Sequence, residues 1–123
     1  MTKRILVVED QPDNLQILRD LLTSEGYQII EAQDGEEGIR AAAAERPDLI
    51  LMDIQLPRLD GYEATRRIKA DPALRAIPII VVTSYSLSGD EAKARAAGCD
   101  DFVPKPYSRR QLMAKIRGYL PNS

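Results

Sequence analysis

Short apolar runs rich in β-branched residues alternate along this chain with longer stretches whose apolar side chains recur at helical spacing, and that alternation limits the fold more than any other feature. Ile5 to Val8 reads as a buried strand, and Leu15, Leu18, Leu21 and Leu22 mark the apolar face of a helix behind it. Pro12 suits the first turn of that helix and Gly26 its stop, after which Tyr27 to Ile30 reads as a second strand. Asp34-Gly35-Glu36-Glu37 combines a cap with an acidic first turn and opens a helix running through Ala41 to Ala44 until Pro47 forbids continuation. Leu49 to Met52 is a third strand, Gly61 to Ala70 a helix closed by Asp71-Pro72, and Pro78 to Val82 a fourth strand. Ser88 and Glu91 have capping-box spacing for a helix closed by Gly98. Asp101 to Val103 makes a short fifth strand, placed at a sheet edge by Pro104. Ser108 and Gln111 repeat the capping-box spacing before a last helix carrying Leu112, Met113, Ile116 and Leu120 and ended by Pro121. Five strands alternating with five helices through right-handed crossovers imply an α/β fold, a mostly parallel sheet covered on both faces.

At 123 residues, with no linker or internal repeat, the expectation is a single domain over 1–123 with no effector domain. Composition then removes whole classes of function. The chain has no histidine, so a Ser/His or Cys/His nucleophile pair, a zinc triad and an imidazole general base are all excluded from it. Cys99 stands alone, which rules out an internal disulfide and a cysteine metal cluster and fits a reducing compartment. A net charge of −2 supplies no global basic field for nucleic acid. The opening MTKRILVVEDQ turns acidic after Val8, too soon for a signal segment or membrane span, so the expected location is the cytoplasm, with neither nucleic acid nor membrane as partner.

In an open parallel sheet, ligands bind beyond the C-terminal strand ends near the point where strand order reverses. The residues there are Glu9 and Asp10 after the first strand, Asp53 after the third, Thr83 after the fourth, and Lys105 with Pro106 after the fifth. Three converging carboxylates repel one another, a cost that a divalent cation removes. Mg²⁺ suits so few protein ligands, because it keeps several waters and accepts phosphate oxygens as well. The lysine offers a point charge and the threonine a hydroxyl to phosphate oxygens, which leaves a carboxylate as the nucleophile. Taken singly, each residue has a plainer role: Glu9 and Asp10 as capping acids, Asp53 as a loop acid, Thr83 as a turn former, Lys105 as an edge charge. Together at successive strand ends those roles give way to a shared site. Gly61 is a backbone requirement near a helix start, Cys99 a partly buried small residue, and Arg66, Arg67, Arg109 and Arg110 solvated basics, with a partner contact the minority role at Arg109 and Arg110.

Four segments in order, ILVVED at 5–10, DLILMDIQLPRLDGYE at 48–63, PIIVVTS at 78–84 and DDFVPKP at 100–106, resemble the receiver domain of two-component response regulators, the CheY-like family, over essentially the whole chain. The MTK start, MDIQLP, and the GDE and GCD elements look most like its stand-alone cell-cycle regulators. The resemblance implies a flavodoxin-like fold, a five-stranded parallel sheet of order 2-1-3-4-5. It implies that Asp53 accepts a phosphoryl group from a phosphohistidine on a sensor histidine kinase or histidine phosphotransfer protein. Asp10, Asp53 and the Gln55 backbone carbonyl would hold Mg²⁺, Glu9 acting through water, while Thr83 and Lys105 hold phosphoryl oxygens. Output would pass through the fourth helix, fifth strand and fifth helix, by protein binding or as a homodimer. Phe102 stands at the switch aromatic, so the switch rests on packing without a phenol hydrogen bond. Pro106 is expected to follow a cis bond, and Gln55 and Tyr85 to govern the access of water to the phosphoryl group. The fourth helix, built on Ala92, Ala94, Ala96 and Ala97, buries little and is expected to be the loosest.

Three other readings compete. A phosphoaspartate-type phosphatase of the haloacid dehalogenase kind wants a second aspartate two residues after the nucleophile, where Gln55 stands, and a cap domain. A flavodoxin-like cofactor binder needs a phosphate-cradling loop, and Glu9-Asp10-Gln11-Pro12-Asp13 repels one. A degenerate receiver would bind partners without phosphorylation. The expected class is therefore a signalling protein that catalyses only its own phosphoryl transfer and slow dephosphorylation.

Overall fold

The structure is a computed structural model that describes residues 2–83 and 88–121, with side chains in the fourth helix described from Ala92 onward. Strands β1 (Arg4–Val8), β2 (Gln28–Ala32), β3 (Leu49–Asp53), β4 (Ile79–Thr83) and β5 (Asp101–Pro104) alternate with helices α1 (Pro12–Ser24), α2 (Gly35–Glu45), α3 (Gly61–Ala70), α4 (Ser88–Ala96) and α5 (Arg109–Tyr119). The strands form one parallel sheet of order β2-β1-β3-β4-β5, with the strand order reversing between β1 and β3. The expected order holds. Where strands were read one or two residues short, as at β2, β3 and β4, the ladder carries the polar residue after the apolar run: Asp53 pairs with Val82 and Thr83 with Pro104.

Side chains alternate across a strand, so the two faces of the sheet collect different residues. One face gathers Ile5, Val7, Leu49, Leu51, Ile80 and Val103 beneath α1 and α5, which contribute Leu15, Leu18 and Leu22 and Leu112, Met113 and Ile116. The other gathers Leu6, Val8, Ile50, Met52, Ile79 and Val81 beneath Ala42 of α2, Ala64 and Ile68 of α3, and Ala94 of α4. Every residue of β3 and β4 is buried, as expected of central strands covered on both faces.

The helix ends follow local chemistry. Asp34 accepts from the Glu37 amide at the start of α2 and Asp60 from the Glu63 amide at the start of α3. Ser108 and Gln111 form the complete capping box of α5. Gly26, at φ +94°, takes the left-handed conformation that ends α1. The capping box expected of Ser88 with Glu91 falls on side chains outside the described residues. Arg109 and Arg117 both donate to Glu25 beyond the end of α1, so Arg109 staples α5 to α1 within the chain, a role its sequence position did not suggest. Among the described residues no helix is long and apolar enough to cross a membrane.

Candidate functional site

The parallel ladder runs one rung past several strand ends, and the polar residues of interest sit on or beside those rungs. Glu9 N–H donates to Ala32 O at 2.9 Å, Ile54 N–H to Val82 O at 3.2 Å and Lys105 N–H to Thr83 O at 2.5 Å. Alternation then sets direction. Glu9 follows Ile5 and Val7, Asp53 follows Leu49 and Leu51, and Lys105 follows Val103, so all three continue the face covered by α1 and α5. Thr83 follows Ile79 and Val81 and belongs by the same parity to the opposite face, where Phe102 also packs.

The carboxylates of Glu9, Asp10 and Asp53 each place an oxygen within 4.8 Å of the others. Glu9 is 2% exposed and Asp53 5%, while Asp10 is half-buried. Lys105 Nζ lies 3.7 Å from both Glu9 Oε1 and Asp53 Oδ2. One ammonium facing three carboxylates leaves an excess of negative charge that a divalent cation would balance, and all-oxygen donors with open positions suit a hard ion. Two backbone amides hold the acids in place: Gln11 N–H donates to Glu9 Oε2 at 3.0 Å and Gln55 N–H to Asp53 Oδ1 at 3.3 Å. Burial, partly offset by the Gln11 amide and reinforced by the Asp53 carboxylate, pushes the Glu9 carboxyl from 4.5 up to about 7.

The turn that follows Asp53 depends on a residue with no side chain. The Gly61 amide donates to Ile54 O at 3.1 Å, and a Cβ on Gly61 would stand 2.1 Å from Asp53 O. This close approach ties the start of α3 to the end of β3 and fixes the height of the Asp53 carboxylate. On the opposite side the Lys105–Pro106 bond is cis, as expected, and Pro106 is exposed.

Above these groups opens a cavity of about 580 Å³, whose charged floor is Glu9, Asp53 and Lys105. Of the residues singled out from sequence, the structure brings Glu9, Asp10, Asp53, Lys105 and Pro106 together here. Gln55 is exposed beside them, Thr83 is 4% exposed at the end of β4, and Tyr85 lies outside the described residues. Phe102 is half-buried on β5, with the Arg95 guanidinium 5.5 Å and the Lys115 ammonium 6.0 Å from its ring centre, so cations from α4 and α5 both meet this ring. The cavity walls also include Asn14, Ile17 and Tyr107, which sequence reasoning missed. Ile17 carried a signal: an apolar residue off the Leu15, Leu18, Leu22 stripe.

The family model of the response regulator receiver domain matches residues 5–117. The chain belongs to that family. The receiver is 42% identical over 120 residues to the polar-differentiation response regulator DivK of Brucella ovis, covering 98% of both chains. Its fold matches the receiver domain of sensor histidine kinase PA1611 from Pseudomonas aeruginosa PAO1, a structure with magnesium coordinated in its active-site cleft, at a TM-score of 0.91, 39% identity and 98% of each chain. It also matches the chemotaxis protein CheY4 of Vibrio cholerae at a TM-score of 0.90 over 97% of this chain and 99% of that one; at 23% identity this likeness concerns the fold alone. The receiver is thus a two-component signalling module of the type that histidine kinases and phosphotransfer proteins serve.

Proposed function

We propose that this receiver accepts a phosphoryl group on an Asp53 carboxylate oxygen from a phosphohistidine of a partner protein, and signals through phosphorylation-controlled protein binding. The observation that carries this reading is the Asp53 carboxylate, 5% exposed at the floor of an open cavity, with Glu9 and Asp10 close by and Lys105 Nζ 3.7 Å away. Asp10, Asp53 and the Gln55 backbone carbonyl would hold Mg²⁺, with Glu9 acting through water. When bound, that ion neutralises the clustered carboxylates and draws charge off the transferring oxygens.

The remaining work falls to the chain itself. Asp53 is the nucleophile, oriented by the Gln55 amide and by the turn at Gly61. Lys105 holds a phosphoryl oxygen as a point charge, and the Thr83 hydroxyl holds another. No imidazole acid–base group of this chain is required, because the donor ring, protonated on its far nitrogen, departs as neutral imidazole, which suits a chain without histidine. Thr83 and Phe102 share one face of the sheet, and a Thr83 drawn toward the phosphoryl group vacates space on that face for the aromatic ring. The readout is therefore α4, β5 and α5, with Pro106 lining the cavity beside Lys105. The protein works as one signalling domain in the cytoplasm and turns over no substrate other than its own phosphoryl group.

Intact-protein mass after incubation with Mg²⁺ and acetyl phosphate tests the reading. One added phosphoryl group on the wild type, absent from Asp53→Asn and absent under chelation, is expected. No adduct, together with no binding of beryllofluoride, would replace it with a receiver that binds partners without phosphorylation.

A further inference from the structure

Asp53 ends β3, and the loop that follows it, Ile54 to Asp60, carries Gln55. The start of this loop is fixed by the sheet: Ile54 N–H donates to Val82 O at 3.2 Å, while Ile54 O accepts from the Leu56 amide at 3.0 Å and the Gly61 amide at 3.1 Å. Its apolar side chains, Ile54, Leu56 and Leu59, are half-buried against the core shared by α2, α3 and α4, and Gln55, Pro57 and Arg58 stand exposed between them. Arg58 takes φ +64°, in the left-handed region that residues with a Cβ avoid, so the path of the loop is imposed by its neighbours rather than chosen locally.

The neighbour is α2. A Cβ on Gly35, the first residue of that helix, would stand 2.3 Å from Leu59 O and 3.0 Å from Leu59 Cβ. Gly35 lies outside the left-handed region, so the position demands space and not conformational freedom. The backbone of α2 therefore rests directly on the Leu59 peptide, with no flexible side chain between them to yield. Asp34 extends the contact: its Oδ1 accepts from the Glu37 amide at 2.8 Å and caps α2, and its Oδ2 lies 3.8 Å from the Arg58 guanidinium. The Arg58 side chain is 75% exposed, so that ion pair holds weakly and the Gly35 contact is the rigid one. Gly35 and Gly61 thus bracket the loop, each set against a backbone oxygen, with Gln55 between them and its amide donating to Asp53 Oδ1 at 3.3 Å.

We propose that Gly35 is a positioning residue for the metal site: the start of α2, seated on Leu59, sets the height of the Gln55 backbone carbonyl and with it the affinity for Mg²⁺. This rests on the reading in which that carbonyl and the Asp10 and Asp53 carboxylates hold the ion. Mg²⁺ demands near-octahedral geometry at short distances, so a ligand on a displaced loop is a poor one. Coupling between the two places is reciprocal, so holding the ion at Gln55 also tightens the first turn of α2.

Amide chemical-shift titration of the full chain with MgCl₂, on the wild type, Gly35→Ala and Ala43→Gly, tests the seat. Gly35→Ala forces Leu59 or α2 to shift and is expected to weaken Mg²⁺ binding about tenfold, the low end of what a metal site loses with a supporting contact. Ala43→Gly lowers the stability of the same helix from an exposed position and should leave the affinity within about twofold of the wild type. In the wild type, saturating Mg²⁺ should slow hydrogen exchange at the Glu37 and Gly38 amides, which bond to Asp34, more than at Ala44 and Glu45 at the far end of the helix. That measurement needs no variant and gives the answer if Gly35→Ala does not fold. An unchanged affinity in Gly35→Ala, an equal loss in Ala43→Gly, or exchange that is unchanged or slowed uniformly along α2 would overturn the seat while the metal site stood. A wild type that binds no Mg²⁺ would overturn the metal-ligand reading and the seat with it.

Discussion

Glu9 makes the stability of the metal-free receiver depend on pH in a direction opposite to that of most carboxylates. It lies 2% exposed beside Asp53, and burial lifts its carboxyl from 4.5 to about 7 against the pull of the Gln11 amide and of Lys105 Nζ at 3.7 Å. The folded chain therefore holds this proton more tightly than the unfolded chain does. The stabilisation is complete below pH 4.5 and is lost as pH rises through about 7. At about 1.36 kcal/mol per pH unit, the gap is worth about 3 kcal/mol. For a domain of this length that is about 10 °C in melting temperature. The assay is thermal unfolding by circular dichroism at low salt with chelator, from pH 4.5 to 8.5, on the wild type and Glu9→Gln. The substitution keeps the shape and removes the titration, so the difference between the two curves isolates Glu9 from every other group. The wild type should lose about 10 °C more than the variant across this range. Saturating Mg²⁺ at pH 8.5 should restore most of that loss, since a bound cation favours the ionised form. Parallel curves for the two proteins would refute the reasoning, as would a wild type that gained stability over the variant with rising pH.

Gly61→Ala places a Cβ 2.1 Å from Asp53 O, so the end of β3 or the start of α3 must shift. The expected cost is about 1–3 kcal/mol in urea unfolding together with slower labelling by acetyl phosphate, and an unchanged midpoint and rate would count against the account of that turn. Thr65 is fully buried in α3 and its hydroxyl has no hydrogen-bond partner among the described residues, so Thr65→Val should stabilise the protein by about 1 kcal/mol; a lowered urea midpoint would contradict this. The described part of α4 and its C-terminal turn bury only the small side chains of Ala94 and Ala97, whereas α1 buries Leu15, Leu18 and Leu22. Amides of 92–96 should therefore exchange with solvent faster than those of 15–22, and slower exchange in α4 would remove the case for a loosely held fourth helix.

The elements were legible because they rest on short-range physics. Pro12, Gly26, Asp34 and Ser108 begin or end helices through groups within a turn of themselves, and those boundaries agree with the structure to within a residue or two. The strand ends were less legible at β3 and β4. Asp53 and Thr83 are polar and read as breaks in apolar runs, yet each is paired in the ladder, and burial of a charged or hydroxyl group there is sustained by neighbours from distant parts of the chain.

The site divides the same way. Residue types at the strand ends, two adjacent acids, a third acid and a lysine, were enough to point to one acidic cluster facing a lysine, which the structure assembles. Tyr107 and the Arg109–Glu25 pair were invisible in sequence, and Ile17 showed only as an apolar residue off the stripe of its helix, because their surroundings come from residues far away along the chain. Alternation along each strand by itself determined only that Glu9 continues the side of Ile5 and Val7, Asp53 that of Leu49 and Leu51, Lys105 that of Val103, and Thr83 that of Ile79 and Val81, since side-chain direction repeats every two residues. Only the packed sheet decided that Lys105 stands 3.7 Å from both Glu9 and Asp53, and that Gly61 leaves no room for a side chain. Those distances depend on strand order, register and helix docking, which are set by burial of many non-local contacts at once and are written in no single segment.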